Sequence, residues 1–482
     1  MSLVRRSVTS VGWNVGVSTI QILVGFGRSV LLARLLPVEV FGVYAFSASI
    51  VVLSGVLPSF GMGGAFSHRS EETADEEQAA AVHLTLELIF VTVWMILLGG
   101  GALVFTTGQT RLALMVLTLT HGGVMLTNTP SLILVRRVVH RRLALLQSIN
   151  ILLSAVTAVL LALGGIGLWA LLSTDVITLV LSIFFLYLWR PVWRPRLAWS
   201  PPTMRYFLRY GSRNVLAQGL LRALDRVDDL WTGTYLGDTA MGYYSRAYAF
   251  ATYPRMILAQ PINKVAIGTY AEVAHSRKRL SQAFFRTNAL LVRSGFFLAG
   301  LLALVAPEFI GILLGSKWLP MLDAFRLMLV FTLLDPIKAT VANLFLAVGR
   351  PEEVLRARVI QLAVMVIGLF VLGPLLGIAG VALAVDLMLV VGIGILLYQS
   401  RRYVDFSLKT LFLAPGIGVV LGVVLARLAI TLPYVLGSPW RTGTVKAAVF
   451  ALMYVAALLI LERRRLLDMF STLLKQLLPG TG

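Results

Sequence analysis

Residues 205–271 read RYFLRYGSRNVLAQGLLRALDRVDDLWTGTYLGDTAMGYYSRAYAFATYPRMILAQPINKVAIGTYA. The stretch contains two apolar segments, each long enough to cross a bilayer, joined by a short Gly-Asp loop. Both segments nevertheless carry charged residues, among them Arg213, Arg222, Asp225, Arg226, Asp228, Asp229, Arg246, Arg255 and Lys264. A charge at the centre of a bilayer costs about 2.5–3.5 kcal/mol on insertion scales, so such side chains face water or one another. The stretch therefore predicts a hairpin that lines a wet, charged cavity within a membrane protein.

The composition of the chain also indicates a polytopic membrane protein. Of its 482 residues, 58% are hydrophobic and 13% are charged, whereas soluble domains carry about a quarter charged residues. The formal net charge of +20 would favour nucleic-acid binding in a soluble protein. Here the basic residues lie mainly in short loops between apolar segments, so no nucleic-acid partner is expected. The chain has no cysteine and no histidine spacing typical of metal ligands, so neither a metal nor a cofactor is predicted.

Apolar runs predict an all-α fold of fourteen membrane-spanning helices, because most runs reach the roughly 20 residues that a bilayer requires. The first run lacks a small-residue cleavage site and is expected to be an uncleaved span. The runs lie near 9–33, 40–65, 80–105, 112–134, 143–163, 166–189, 207–235, 239–268, 283–306, 320–347, 357–374, 376–398, 408–430 and 443–461.

The basic residues of the loops predict how these helices are oriented. Alternate loops place twenty-four Lys and Arg residues on one side of the membrane and five on the other. Because short loops rich in Lys and Arg stay in the cytoplasm, both termini are predicted to be cytoplasmic. The five residues of the opposite side are Arg34, Arg111, Lys317, Arg441 and Lys446.

The chain also contains an internal repeat. A shift of 200 residues superposes Asn14 on Asn214, Leu36 on Leu236, Gly42 on Gly242 and Tyr44 on Tyr244. Six spans separate the copies, so both copies start on the same side and form parallel repeats about an axis along the membrane normal. The predicted domains are an N-terminal six-helix lobe at 1–200, a C-terminal six-helix lobe at 201–400, and two additional helices with a cytoplasmic tail at 401–482.

Five charged residues of the seventh predicted helix fall close together. Arg222, Asp225, Arg226 and Asp229 lie at i, i+3, i+4 and i+7 on one face, and Asp228 flanks it. Two interpretations stay open, because the arginines can bind an anionic cargo or can form internal ion pairs that hold helices together. The three carboxylates are accordingly candidates for ion pairing or for coupling to an ion.

Other polar residues extend this predicted cavity. In the first helix, Asn14, Gln21 and Arg28 recur every seven residues and form a polar stripe. The eighth and ninth helices add Arg246, Arg255, Tyr243, Tyr244, Tyr248, Tyr253, Arg286 and Arg293. Guanidinium groups pair bidentately with phosphate oxygens and tyrosine rings can stack on sugars, so the cavity is predicted to bind a diphosphate or an acidic sugar. Arg255 lies near enough to a helix end to snorkel to the interface instead.

Carboxylates elsewhere in the predicted helices are further candidates for proton or sodium coupling. They are Glu87, Asp175, Asp335 and Asp386. Asp335 lies three residues before Lys338 and is expected to form a structural pair with it. His83 and His121 are expected to be packed or interfacial. No phosphate-binding loop, dinucleotide fingerprint or catalytic metal spacing is present, so the protein is not predicted to be an enzyme.

Three segments resemble a known family of transporters. They are ARLLPVEVFG at 33–42, DDLWTGTYLG followed by MGYYSRAY within 228–248, and LAVGRPEE at 346–353. The chain resembles, over residues 1 to about 400, the Wzx-type lipid-linked oligosaccharide flippases of the polysaccharide transporter branch of the MOP exporter superfamily.

The resemblance implies two six-helix lobes around a central cavity and transport by alternating access. The implied cargo is an undecaprenyl-diphosphate-linked oligosaccharide or exopolysaccharide repeat unit, moved from the inner to the outer leaflet of the prokaryotic cytoplasmic membrane. Membrane lipids and the machinery of polysaccharide polymerisation or export are the other implied partners. By position, the last two helices at 408–461 would hold the lipid tail.

The resemblance also implies roles for individual residues. The cavity arginines of the family correspond to Arg28, Arg222, Arg226 and Arg246. The family often has an apolar residue at the position of Arg246 and an asparagine at the position of Asp229, so these two residues reflect either a particular cargo or a pair with each other.

Three other functions stay open. A multidrug or small-solute exporter of the same superfamily is the nearest alternative, but an exporter of cationic drugs needs an acidic cavity rather than a cationic one. A membrane glycosyltransferase or polymerase needs a sizeable loop with acid–base residues, and the loops here are short. A purely structural membrane protein would leave the charges within the helices unexplained.

Overall fold

A computed structural model describes residues 21–69, 75–137, 139–431 and 438–477 of the chain. The regular elements in these ranges are helices, as the apolar runs predict. Short π-helical turns at Phe184–Leu188 and Ile310–Leu314 continue two of them, and a 3₁₀ turn spans Ser316–Met321. The helices are α1 (21–35), α2 (Val38–Ser54), α3 (Val56–Ser59), α4 (Met62–His68), α5 (Glu76–Phe105), α6 (Gly108–Met125), α7 (Asn128–Arg136), α8 (His140–Leu163), α9 (Gly167–Ile183), α10 (Pro201–Tyr235), α11 (Gly237–Val273), α12 (Arg277–Phe309), α13 (Leu322–Ala347), α14 (Pro351–Leu376), α15 (Ile378–Ser400), α16 (Leu408–Ala429) and α17 (Pro439–Leu477).

Eleven helical stretches within the described residues are long and apolar enough to cross a membrane. The prediction of an all-α polytopic membrane protein is therefore confirmed. The other three predicted spans correspond to α1, of which residues 21–35 are described, and to α10 and α11, whose charged residues interrupt the apolar pattern. The total of fourteen spans stays a prediction.

The two charged helices are among the longest helices of the described residues. α10 has 35 residues and α11 has 37. At 1.5 Å per residue, each is about 50 Å long, which exceeds the roughly 30 Å of a bilayer's hydrocarbon core. We therefore expect part of each helix to extend beyond the apolar region.

The second predicted helix, at 40–65, is not continuous. It forms α2, α3 and α4, and the chain turns between α3 and α4 at Phe60 and Gly61, which have φ values of 42° and 65°. Left-handed conformations of this kind end a right-handed helix. The fourth predicted helix, at 112–134, likewise divides into α6 and α7. Hydropathy indicates neither break, because the apolar composition continues through both.

Local sequence explains where helices begin. Asp75 precedes α5, and its side chain accepts a hydrogen bond of 2.7 Å from the backbone N–H of Glu77. Glu76 and Glu77 in the first turn also favour the positive end of the helix dipole. α14 begins at Pro351, whose fixed φ angle suits the first position of a helix.

The chain divides into two compact units, Met1–Ser245 and Arg246–Gly482. In the first unit, α10 packs against α2 and α4, and α9 packs against α6 and α8. In the second unit, α15 packs against α13 and α14. The predicted lobes at 1–200 and 201–400 follow the sequence repeat rather than these contacts, and their boundaries stay a prediction.

The last two described helices are attached to α12 of the second unit. Phe450 and Tyr454 of α17 form an apolar cluster with Leu304 of α12 and with Ala414 and Ala426 of α16. Burial of a large aromatic side chain stabilises a fold by about 1.5–3 kcal/mol. This cluster therefore gives α16 and α17 a fixed position within their unit.

Candidate functional site

Helix α2 presents polar side chains to two neighbouring helices of the first unit. The hydroxyl of Tyr44 donates a hydrogen bond of 2.8 Å to Oδ2 of Asp175 in α9. The hydroxyl of Ser49 donates one of 2.8 Å to Oδ2 of Asp229 in α10. Both hydroxyls satisfy carboxylates that would otherwise be expensive to bury. α2 therefore positions Asp175 of α9 and Asp229 of α10.

Asp228 and Asp229 are adjacent buried carboxylates with different partners. The two residues are 6% and 7% exposed. Oδ2 of Asp229 accepts the hydrogen bond from Ser49 and also lies 3.0 Å from Nη1 of Arg226. Asp228 accepts a hydrogen bond of 2.5 Å from the hydroxyl of Tyr244 at the start of α11. The sequence indicated both carboxylates as candidates for pairing or coupling, and the structure supplies a pairing partner for Asp229.

The predicted charged face of α10 is buried at one end only. Asp229 is buried and Arg226 is half-buried, with 35% of its side chain exposed, whereas Arg222 and Asp225 are exposed. The ion-pair interpretation therefore holds for Arg226 and Asp229.

Arg28 of α1 is half-buried and hydrogen-bonded. Its Nη2 donates to Oγ1 of Thr174 in α9 at 2.5 Å, and its charge attracts Asp175 beside that threonine. Because Asp175 also accepts the hydrogen bond of Tyr44, the guanidinium of Arg28 belongs to one polar group shared by α1, α2 and α9. Sequence reasoning named Arg28 and Asp175 but had no means of joining them.

The remaining predicted cavity residues have varied surroundings. Gln21 lies 3.5 Å from the hydroxyl of Ser148 in α8, at the outer limit of a hydrogen bond. Asn14 lies outside the described residues. Tyr244 is fully buried, so its ring packs inside the first unit. Arg246 is half-buried.

In the second unit, Arg255 of α11 pairs with a carboxylate of α13. Its Nη1 contacts Oδ2 of Asp335, and Nζ of Lys338 lies 2.7 Å from Oδ1 of the same residue. The guanidinium also lies 5.0 Å from the ring centroid of Phe331, whose ring is 5.6 Å from that of Tyr248. The predicted pair between Asp335 and Lys338 is present, and Arg255 binds the same carboxylate.

Arg293 does not extend a cationic wall, contrary to the sequence expectation. Its Nε and Nη2 lie 2.9 Å and 2.5 Å from Oε2 of Glu462 in α17, and both side chains are almost fully buried. The hydroxyl of Tyr454 also donates to the backbone carbonyl of Arg293 at 2.7 Å. Glu462 lies 169 residues away in sequence, so the seven-residue spacing on α12 gave no sign of this pair.

One buried polar cluster was not anticipated. Oε1 of Glu87 in α5 accepts a hydrogen bond of 2.9 Å from the amide of Asn128 in α7. Nδ1 of His83 lies 2.9 Å from the hydroxyl of Thr129, and 3.6 Å from Glu87 itself. His83 and Glu87 are each 2% exposed. His83 is packed as expected, and its i, i+4 spacing from Glu87 was the available signal for the cluster.

The described residues include no group of three or more His, Cys, Asp or Glu side chains placed to hold a metal ion. What these residues do contain is a set of half-buried guanidinium groups on α1, α10 and α11, each in a helix predicted to lie within the membrane. Such groups can exchange a carboxylate or hydroxyl partner for the oxygens of an anionic ligand.

A comparison with known protein families identifies the family of this chain. Residues 31–323 match the family model described as polysaccharide biosynthesis protein. The chain belongs to this polysaccharide biosynthesis family. The matched region begins three residues after Arg28 and contains all the charged residues of α10 and α11.

Relatives of this polysaccharide biosynthesis protein come from several bacteria. The chain is 28% identical over 324 residues to the succinoglycan biosynthesis transport protein ExoT of Rhizobium meliloti. The match covers 65% of this chain and 64% of ExoT, which is just under two thirds of the relative's length. The chain is 23% identical over 443 residues to the lipopolysaccharide biosynthesis protein WzxC of Escherichia coli, across 87% of this chain and 89% of WzxC. The Wzx-type membership predicted from the sequence is confirmed.

Two solved transporter structures have a similar fold. The lipid II flippase MurJ in an inward closed conformation matches with a TM-score of 0.77 at 15% identity, over 94% of this chain and 99% of MurJ. An inward-facing multidrug resistance MATE family transporter of the MOP superfamily matches with a TM-score of 0.62 at 17% identity, over 80% of this chain and 94% of the transporter. At these identities the likeness establishes the MOP-type fold.

Proposed function

We propose that this protein moves a lipid-linked oligosaccharide, or an exopolysaccharide repeat unit, from the inner to the outer leaflet of the cytoplasmic membrane. The cargo carries an undecaprenyl diphosphate, and transport proceeds by alternating access. The protein is on this view a transporter and not an enzyme, and both of its termini lie in the cytoplasm. Its partners are the lipid-linked cargo, the surrounding lipids, and the proteins that polymerise or export the glycan.

The names of its relatives support this class of cargo. ExoT is named as a transport protein of succinoglycan biosynthesis, WzxC as a lipopolysaccharide biosynthesis protein, and MurJ as a lipid II flippase. The first two names refer to succinoglycan and lipopolysaccharide biosynthesis, and the third refers to the flipping of lipid II. A drug exporter on the same fold is the second candidate function, and its support is the likeness in fold to a multidrug resistance MATE family transporter at 17% identity.

The observation that carries the proposal is the set of half-buried guanidinium groups within the helices, represented by Arg28, Arg226 and Arg246. Charged residues inside a membrane are costly and are normally retained for function. A diphosphate offers the planar oxygen pairs that a guanidinium binds in bidentate fashion. The cargo-binding set is proposed to be Arg28, Arg222, Arg226 and Arg246, with Arg255, Gln21, Asn14, Tyr244 and Tyr248 as further members.

Asp229 is the residue that holds Arg226 when no cargo is bound. It holds the guanidinium of Arg226 at 3.0 Å through Oδ2, the same atom that accepts the hydrogen bond of Ser49. An incoming diphosphate competes with this carboxylate for Arg226, and release of the cargo lets the pair form again. Asp229 therefore keeps Arg226 oriented and neutralised in the empty protein, while Asp225 and Asp228 remain candidates for pairing or ion coupling.

The test is export of surface glycan by variants in cells that lack the native copy. Arg28→Ala, Arg226→Ala and Arg246→Ala are expected to lose most export at normal protein abundance, as is Arg222→Ala. Arg356→Ala is the matched control, because the Arg356 side chain is 71% exposed and only weakly paired. Normal export by all four variants would refute a cargo role, and a loss of abundance would assign these residues to structural pairing. Altered drug resistance with normal glycan would favour the exporter.

A second pair of variants separates orientation from cargo binding. The double variant Arg226→Asp with Asp229→Arg preserves an ion pair but reverses its polarity. If Arg226 acts only as a structural partner, this exchange restores export relative to Arg226→Ala. If Arg226 contacts cargo, abundance recovers while export stays low.

A further inference from the structure

The segment between the span of α9 and the start of α10 is not helical. Residues 189–200, here termed the connector, read WRPVWRPRLAWS. The stretch that is long and apolar enough to span a membrane ends at Leu188, and α10 begins at Pro201. Pro191 and Pro195 disfavour a continued helix, because proline lacks a backbone N–H and clashes with the preceding turn. The connector therefore begins where the apolar span ends.

Contacts within the first unit hold the connector in place. Trp193 is buried in an apolar cluster that includes Phe66 of α4 and Phe207 of α10. The backbone N–H of Ala198 donates a hydrogen bond of 3.1 Å to the hydroxyl of Thr85 in α5. The connector therefore has a defined position against α4, α5 and α10.

Arg142 of α8 fixes the first residues of the connector. Its guanidinium donates hydrogen bonds to the backbone carbonyls of Phe185 and Trp189, and to that of Arg190 at 2.7 Å. The same guanidinium lies 5.6 Å from the ring centroid of Trp189. The last carbonyls of a helix have no partner within the helix, so these bonds stabilise the end of the span. Arg142 thereby holds Trp189 at that end.

The large side chains that stay exposed on the connector are apolar or basic. Trp189, Leu197 and Trp199 are 40%, 64% and 71% exposed. Tryptophan is on average a largely buried residue, so two exposed tryptophans within twelve residues indicate a surface that meets an apolar environment outside the chain. Three exposed cations accompany them, and the connector contains no Asp or Glu. These cations are Arg190, Arg194 and Arg196.

The ionic contact of Arg196 leaves its guanidinium available to a ligand. Nη1 of Arg196 lies 3.9 Å from Oε2 of Glu77 in α5, and both side chains are largely exposed to solvent. An exposed pair at this distance contributes little to stability. An anionic ligand therefore meets little competition for Arg196.

We propose that the connector lies in the membrane interface and binds the headgroups of anionic phospholipids. Tryptophan rings are enriched at the level of the headgroups, and arginine extends its charged end toward phosphate oxygens while its stem stays on apolar surface. The loop is on the side of the membrane predicted to be cytoplasmic, where the leaflet is negatively charged. The occupant is lipid, because this surface begins at the end of a span and carries three cations and no carboxylate.

The test uses the full-length protein in lipid nanodiscs, labelled at one engineered cysteine with an environment-sensitive fluorophore. The chain has no cysteine of its own, so labelling is specific. Leu197→Cys places the probe at an exposed position of the connector. Gln78→Cys is the matched control, because Gln78 is exposed in the first turn of α5 and directly follows three acidic residues at 75–77.

Two lipid quenchers and one aqueous quencher report the surroundings of each probe. The lipid quenchers are phosphatidylglycerol and phosphatidylcholine with spin labels near the headgroup, and the aqueous quencher is iodide. The probe at 197 should be quenched several-fold more by the labelled phosphatidylglycerol than by the labelled phosphatidylcholine, and little by iodide. The probe at 78 should be quenched mainly by iodide.

Two sets of charge variants test whether the arginines of the connector cause the lipid preference. The triple variant Arg190→Gln, Arg194→Gln and Arg196→Gln should lose most of the preference for phosphatidylglycerol at 197, because each cation near an anionic surface contributes roughly a fivefold preference. Its control has the same loss of charge at three exposed positions of the second unit and should keep the preference. That control is Lys278→Gln, Arg279→Gln and Arg401→Gln.

Three outcomes would overturn the proposal. Quenching at 197 by iodide and not by lipid would show that the connector lies in water, and quenching by none of the three would show that protein covers it. Equal quenching by the two lipids, or an equal loss in both triple variants, would show that the connector does not bind anionic headgroups. Because no transport is measured, each outcome leaves the proposed cargo untouched, and failure of the cargo proposal leaves this one standing.

Discussion

The hydroxyl of Thr239 donates a hydrogen bond of 3.2 Å to Oε1 of Glu39, the residue 200 positions earlier in the chain. The sequence repeat predicts the same shift of 200 residues, so a residue of one copy bonds directly to its own counterpart. The starts of α2 and α11 therefore meet as equivalent elements.

Two glycines at this contact each pack closely against the backbone of the opposite helix start. A Cβ atom at Gly42 would lie 1.8 Å from the carbonyl oxygen of Asp238, and one at Gly242 would lie 2.2 Å from that of Val38. Each contact is the other's equivalent under the 200-residue shift. Because the opposing atoms belong to the backbone, no rotation of a side chain can make room for a methyl group.

We therefore expect Gly42→Ala and Gly242→Ala to separate the starts of α2 and α11. Overpacking of this kind destabilises a contact by about 1–3 kcal/mol, so the yield of a short bis-maleimide cross-link between Glu39→Cys and Thr239→Cys should fall several-fold. Gly101→Ala is the control, since a Cβ atom at Gly101 meets nothing within 4 Å. Unchanged cross-linking in both glycine variants would contradict the observed contact.

Ser49→Ala should destabilise the first unit by removing a hydrogen bond to the buried carboxylate of Asp229. Hydrogen bonds to charged groups contribute about 1.5–3 kcal/mol, and thermal unfolding of the purified protein should show the loss. The control is Ser59→Ala, because that hydroxyl bonds at 2.9 Å to the carbonyl of Val56 within its own helical turn. Equal effects of the two variants would mean that Ser49 contributes no more than an ordinary helix serine.

The sequence predicted the membrane class and the family, because each depends on patterns spread along the chain. It also predicted the pair between Asp335 and Lys338, whose i, i+3 spacing places both on one helix face. It could not predict that Ser49 would meet Asp229 or that Glu462 would meet Arg293. Those partners lie on different helices, and helix packing, which hydropathy does not encode, decides which faces meet.

The sequence also could not predict which charged residues of α10 are buried. The i, i+3, i+4, i+7 spacing placed Arg222 and Asp229 on one face of α10, yet Arg222 is exposed and Asp229 is buried. α10 packs against α2, and the hydroxyl that reaches Asp229 comes from that helix. Asp229 lies at this contact and is buried, while Arg222 and Asp225, which lie in the turns just before it, are exposed.

The ion pair between Arg277 and Asp405 should contribute to the free energy of unfolding, and this contribution should change with pH only in the acid range. Arg277 donates to the two carboxylate oxygens at 2.7 Å and 3.1 Å, and these bonds lower the pKa of Asp405, which lies in the loop between α15 and α16. The contribution is complete above the ordinary pKa of about 3.9 and is lost as pH falls through the lowered value. The Tm deficit of Asp405→Asn should be constant at neutral pH and should shrink below about pH 4. A deficit that vanished at neutral pH would exclude this ion pair as its cause.

Arg293→Met should be among the most destabilising single substitutions in the second unit. It would leave the carboxylate of Glu462, whose side chain is 5% exposed, without its cation, and breaking a buried pair costs about 3–5 kcal/mol. Replacing both partners, as in Arg293→Met with Glu462→Leu, removes the uncompensated charge and should recover most of the loss in thermal unfolding. If the double variant were as unstable as the sum of the single variants, the two side chains would not be coupled.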